Sequence, residues 1–207
     1  MALYKVKASW WLRKLYGNLI WDMPGENAVY LTFDDGPHPT ATPFVLEQLQ
    51  KYNAKATFFC IGNNVAQHPE IYSQVKDWGH TIGNHTYDHM NGWHNSTDQY
   101  IANVTRADEL IDSKLFRPPY GRIKRAQANM LMEAGRKIYM WDILSGDFDM
   151  SLSPEGCLEN VLKYIRPGSI IVFHDSTKAW DRMSYALPRV LEYCKQKNWQ
   201  PKALPKD

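Results

Sequence analysis

Two histidines four residues apart, His85 and His89, and two adjacent aspartates, Asp34 and Asp35, are the residues whose types and spacing can do chemistry together. Neighbouring carboxylates repel unless a cation or a proton offsets them. Imidazoles four apart share a face if their loop makes one helical turn. Two imidazoles and one carboxylate leave coordination positions open for water and substrate, which is the donor set of a catalytic metal site rather than a closed structural one. The acids end the apolar run Val29-Tyr30-Leu31-Thr32-Phe33 and precede Gly36-Pro37. In a straight strand they would point to opposite faces, so both can serve one site only where the strand is ending, and a Gly-Pro turn lets the chain bend there. An acidic turn that merely caps the next helix explains the same residues, and the elements around them have to decide.

Those elements alternate. After the first strand, apolar spacing predicts a helix over 42–52 with Thr42 as its N-cap and Pro43 in its first position. A continuous apolar run over 56–62 reads as a buried strand, followed by a helix over 69–78. A third strand over 80–84, a helix over 96–113 and a short strand over 115–117 come next. The second half predicts a helix over 124–134, a strand over 137–143, a helix over 153–165, a strand over 169–173 and a last helix over 181–197. Strands apolar on both faces and separated by helices argue for a parallel α/β architecture, either an open doubly wound sheet or a small barrel of six to seven units. In both, ligand sites form at the C-terminal ends of the strands.

Length and composition limit what such a site can belong to. The 207 residues contain no Gly/Ser-rich or highly charged divider, so one domain is expected. A net charge of +2, with 22% charged residues of both signs, lacks the broad basic field that nucleic acid requires. Cys60, Cys157 and Cys194 lie far apart without a C-x-x-C pair and are expected as buried thiols. Residues 1–28 carry Trp10, Trp11, Leu12, Leu15, Tyr16, Leu19, Ile20 and Trp21, interrupted by Lys5, Lys7, Arg13 and Lys14. The charges exclude a conventional signal-peptide core or a spanning helix, which favours the cytoplasm or its membrane face. Such a segment can lie on a membrane surface. Packing across the domain is the preferred expectation, with a monomeric protein.

The strand ends share one chemical vocabulary: Asp34-Asp35, then His85-Thr86-Tyr87-Asp88-His89, Arg117-Pro118-Pro119-Tyr120, Asp142 with Asp147, and His174-Asp175. His80, before the third strand, is expected to hydrogen-bond locally rather than bind metal. In these residues the chain resembles the polysaccharide deacetylase family, carbohydrate esterase family 4, with its NodB homology domain. Thr32-Phe33-Asp34-Asp35-Gly36-Pro37 is similar to the family's first motif and His85-Thr86-Tyr87-Asp88-His89 to its second. Arg117-Pro118-Pro119-Tyr120 is similar to the third, and Ile170-Ile171-Val172-Phe173-His174 to the fifth. The resemblance implies a distorted (β/α) barrel of about seven units, NodB-like, spanning 29–207. It also implies metal-dependent removal of acetyl groups from N-acetylated sugars in an acetylated glycan, a poly- or oligosaccharide.

The fourth motif departs from the family pattern, because Leu144 and Phe148 stand where an acid and a tryptophan are common. Asp147 matches the second acid of that motif, and either Asp142 or Asp147 must serve the histidine that ends the last strand. Carried onto this chain, the resemblance puts a divalent ion, with zinc expected, on Asp35, His85 and His89. Asp34 becomes the general base, Arg117 its partner, Tyr120 the backbone oxyanion donor and His174 the general acid. Thr86 is expected to hold the histidine loop. Two other classes compete. A metal-dependent phosphoesterase lacks a Gly-rich phosphate cradle. A non-catalytic glycan-binding module would use Trp93, Trp180 and Tyr185 as loop aromatics, but it leaves every reactive residue unexplained. Trp141, inside a predicted strand, is expected in the core.

Overall fold

The computed structural model describes residues 4–25 and 27–206, so positions 1–3 and 26 of the N-terminal segment and position 207 of the main domain lie outside the described residues. Everything is arranged about β1 (Ala28–Asp34), whose seven residues are all buried. It pairs in parallel with β2 (Thr57–Cys60) on one side and β7 (Ile170–His174) on the other. A strand covered on both sides and both faces must be apolar throughout, which is why no polar alternation marks it. Beyond β2 come β3 (Thr81–Asn84), β4 (Leu115–Phe116) and β5 (Lys137–Ile138), and beyond β7 comes β6 (Ile143–Leu144). A short β8 (Gln200–Pro201) pairs with the start of β1. Among the described residues the pairings between these strands are parallel, and the row curls into a NodB-like distorted half-barrel.

The helices cover its outside. α2 (Ala41–Lys51), α4 (Pro69–Asp77), α5 (Thr97–Asp108), α6 (Arg125–Glu133), α7 (Pro154–Leu162) and α8 (Trp180–Gln196) match the predicted helices to within a few residues. Ser96 caps α5 in a reciprocal capping box with Gln99. A short α3 (Gly62–Gln67), which apolar spacing did not mark, turns the chain directly after β2. α5 stops five residues earlier than predicted because the chain turns to seat Ile111 in the core. Thr42 is not a cap: α2 begins at Ala41, and the buried Thr42 hydroxyl instead donates to the carboxylate of Asp175. Cys60, Cys157 and Cys194 are free, buried thiols.

The predicted strand over 137–143 is two strands. Tyr139 N–H donates to Phe116 O on the β4 side, and Asp142 N–H donates to Ile170 O on the β7 side, so this run crosses from one edge of the row to the other. Trp141 sits in the crossing, half-buried rather than in a strand. The N-terminal segment borders the same opening. Ile20 N–H donates to Ile138 O and Met140 N–H to Ile20 O, while Ala8 N–H donates to Asp142 O and Leu144 N–H to Val6 O. These bonds satisfy edge groups that an open row would leave unpaired. Between them α1 (Trp10–Leu15) turns Leu12 inward, leaving Trp10, Trp11 and Leu15 exposed. Among the described residues, no helix is long and apolar enough to cross a membrane.

Candidate active site

β1 ends on Asp34, and the next residue, Asp35, takes a positive φ of 82° that swings its side chain off the strand axis. The bend is therefore in Asp35 itself. Gly36 is required for a different reason: a Cβ there would stand 2.1 Å from Asp175 Oδ2, because Asp175 accepts the Gly36 N–H at 3.0 Å. Asn64, on α3, donates to Asp35 O at 2.7 Å and fixes the other side of the turn.

The histidine loop makes no helical turn. Thr86 and His89 adopt positive φ (65° and 55°), and these two reversals, rather than an i, i+4 face, bring the imidazoles together with centroids 5.1 Å apart. Asn103 Oδ1 accepts the N–H groups of Tyr87 and Asp88, Thr86 Oγ1 accepts Met90 N–H, and Asn84 Oδ1 accepts Thr86 N–H. Asp88 faces away, toward Asn103 and Arg106. His80 is also apart: its Nδ1 accepts Ala56 N–H, and burial pushes its pKa down to about 4.

Asp35, His85 and His89 each offer a ligand atom, all within 4.8 Å of one another. His85 Nδ1 faces Arg117 O at 2.8 Å, and a carbonyl can only accept, so the proton is on Nδ1 and the Nε2 lone pair is free. Burial, then the neighbouring His89, hold His85 well below the ordinary histidine pKa and therefore neutral. Asp35 Oδ1 is buried without a hydrogen-bond donor, 3.3 Å from His89 Nε2 and 3.9 Å from His85 Nε2. Ligands about 2.1 Å from one ion at a tetrahedral angle lie roughly 3.4 Å apart. An orphaned carboxylate oxygen facing two imidazole nitrogens at that spacing fits a divalent cation.

Arg117 is fully buried behind this triad. Its Nη1 donates to Asp34 Oδ1 (2.8 Å) and Thr32 Oγ1 (2.6 Å), while Nε and Nη2 donate to Tyr139 O and Met140 O. A buried charge is tolerated only when paired and hydrogen-bonded, and here all three guanidinium nitrogens donate. The guanidinium thus holds Asp34 in one orientation. Directly across the β1–β7 ladder, Asp34 is in register with His174. His174 Nδ1 pairs with Asp147 Oδ1 at 2.8 Å, and its backbone N–H donates to Asp147 Oδ2 at 2.7 Å. Burial works to lower the imidazole pKa, but Asp147, joined by Asp35 and Asp34, raises it to about 10. Phe148 packs edge-on against the His174 ring, and Tyr4 packs on Phe148.

Asp142 is not in the site. Its buried carboxylate receives Arg13, Lys7, Arg166 and the Ser169 hydroxyl, so only Asp147 serves His174. Tyr120 sits at φ 60° on the turn after Arg117, with its hydroxyl 3.0 Å from His89 Nδ1. The turn's own bonds run from Gly121 N to Pro118 O and Arg122 N to Pro119 O, leaving the Tyr120 N–H outside them. Of the loop aromatics, Trp180 and Tyr185 lie in α8, and only Trp93 is on a loop-like turn. Asn64 and Asn103 were invisible as site residues, because each acts on its neighbours' backbone and carries no ligand-like spacing of its own, while Thr32 and Asp175 stood in the strand-end motifs without a role.

A parallel α/β half-barrel with an Asp-His-His triad and a second carboxylate at its strand ends defines a metal-dependent hydrolase. Residues 22–139 match the family model described as polysaccharide deacetylase. A peptidoglycan-N-acetylglucosamine deacetylase of Bacillus cereus is 34% identical over 198 residues, covering 89% of this chain and 90% of that protein. A chitooligosaccharide deacetylase of Azorhizobium caulinodans is 34% identical over 157 residues, 72% of this chain and 74% of that one. The crystal structure of the Bc1960 peptidoglycan N-acetylglucosamine deacetylase superposes over 91% of each chain at TM-score 0.86 and 32% identity. The chain belongs to the polysaccharide deacetylase family, carbohydrate esterase family 4, and is a carbohydrate N-deacetylase, a hydrolase acting on amide bonds. Membership displaces the phosphoesterase alternative.

Proposed function

We propose that this protein hydrolyses the acetamide of N-acetylglucosamine units in a glycan of the peptidoglycan or chito-oligosaccharide type, with zinc on Asp35, His85 and His89. The observation that carries the reading is the orphaned Asp35 Oδ1 facing two neutral imidazole nitrogens, next to a second carboxylate held by a buried arginine. A divalent ion bound there supplies Lewis acidity, which polarises an acyl oxygen and acidifies water.

The chain's own residues supply the rest. Asp34 uses Oδ1 for Arg117, which orients the carboxylate and leaves Oδ2 to take a proton from the attacking water. Tyr120 N–H, outside the turn's own bonds, is the donor to the developing oxyanion in this reading, a contribution on the order of 3 kcal/mol for one preorganised donor. His174, with Nδ1–H committed to Asp147, presents Nε2–H for the departing nitrogen. As the C–N bond breaks, that nitrogen takes the His174 proton, giving acetate and a free amine. Acetate release from N-acetylglucosamine oligomers, measured with metal present and after chelation, tests the reading. Equal release in both states would refute it.

A further inference from the structure

The two loops that carry His89 and Tyr120 are laced together just beyond the site. Gly92 N–H donates to Arg122 O, the Gln127 amide donates to Gly92 O, and Trp93 Nε1–H donates to Ile123 O. The lacing fixes two exposed side chains. Trp93 is 52% exposed although its indole N–H is anchored, and the Arg122 guanidinium stacks on that ring at 5.2 Å from its centroid. Tyr120, 61% exposed, continues the same rim back to His89, with ring centroids 4.5 Å apart.

Arg122 is unlike the other arginines near the site. Arg117 is paired with Asp34 and Arg106 lies by Asp88, whereas among the described residues no carboxylate lies within 4 Å of Arg122 and its guanidinium N–H groups have no protein acceptor. Stacking engages only the face of a guanidinium and leaves its planar fork of donors free, the geometry that matches a carboxylate. An anchored indole beside it offers a ring face on which a sugar can lie.

Resting on the deacetylase reading above, we propose that Trp93 and Arg122 form a subsite for a carboxylate-bearing sugar adjacent to the N-acetylated sugar being hydrolysed. The enzyme is thereby tuned to acidic glycans over neutral N-acetylglucosamine oligomers. Trp93 supplies stacking that either sugar can use, and Arg122 supplies discrimination that only the acid can use.

The test uses one tetrasaccharide of alternating N-acetylglucosamine and N-acetylmuramic acid in two forms, with its lactyl carboxylates free or converted to neutral methylamides. Wild type is expected to show kcat/KM at least about tenfold higher on the free acid, the scale of one charge-assisted hydrogen bond, with the preference shrinking as salt is raised. Arg122→Ala should bring the two values together, Arg122→Lys should keep part of the preference, and Trp93→Ala should lower both values while keeping their ratio. Preference retained in Arg122→Ala, or absent in a wild type that deacetylates both forms, overturns the subsite and leaves the deacetylase reading standing. No acetate from either form or from N-acetylglucosamine oligomers overturns both.

Discussion

Asp34 and Asp35 are adjacent, yet the turn gives them opposite environments. Asp34 faces a buried guanidinium, and Asp35 faces two neutral imidazoles with one oxygen bare. Paired charges of this kind separate roles, so substitutions at the two positions should fail differently. His85→Ala or Asp35→Ala should lose the bound divalent metal on elemental analysis, whereas Asp34→Asn should keep it while kcat falls at least about a hundredfold, the lower range for a lost general base. Gly36→Ala should lower both stability and metal retention, because the new methyl would collide with Asp175. His174 adds a pH signature. Its pKa is raised in the folded protein, so its pairing with Asp147 contributes stability that is fully present below about 6.5 and is lost as pH rises through about 10. Asp147→Asn should therefore move the high-pH limb of the kcat/KM profile downward by at least about one unit. An unmoved limb would remove His174 from the acid role.

At the scale of elements, the strand row was legible because buried parallel strands write themselves as apolar runs and the helices between them keep the 3.6-residue period. The run over 137–143 misled because apolarity records burial, not pairing: most of its residues are buried while crossing from β4 to β7. The His85–His89 spacing led to the right pair by the wrong local geometry, since helical spacing and a loop with two positive-φ residues both converge residues four apart. Arg117 could be assigned by motif, but its four acceptors come from two separate segments and no spacing announces them. The N-terminal segment is tied to the crossing by Asp142, which is buried against Arg13, Lys7 and Arg166. Asp142→Ala should cost about 3 kcal/mol in denaturant unfolding, the low end for a broken buried pair because the cations keep partial access to water. It should also make the first 20 or so residues sensitive to protease in the native state. Unchanged protease resistance would show that the backbone bonds of Val6, Ala8 and Ile20 suffice to hold the segment.

Taken as a whole molecule, the half-barrel is a device for bringing five strand ends to one point: β1 brings both acids, β3 the histidine loop, β4 Arg117 and Tyr120, the stretch after β6 Asp147, and β7 His174. A bound ion that joins β1 to the β3 loop should also stabilise the fold by linkage, by about 2.7 kcal/mol when its concentration is a hundred times its dissociation constant. The account rests most directly on one paired measurement: acetate release from N-acetylglucosamine oligomers and bound metal, determined together for wild type, His85→Ala and Asp34→Asn. It predicts metal-dependent release by wild type, loss of both metal and activity in His85→Ala, and full metal with at least about a hundredfold lower rate in Asp34→Asn. Wild-type turnover in a fully metal-loaded Asp34→Asn, or undiminished release after the metal is stripped, would contradict it.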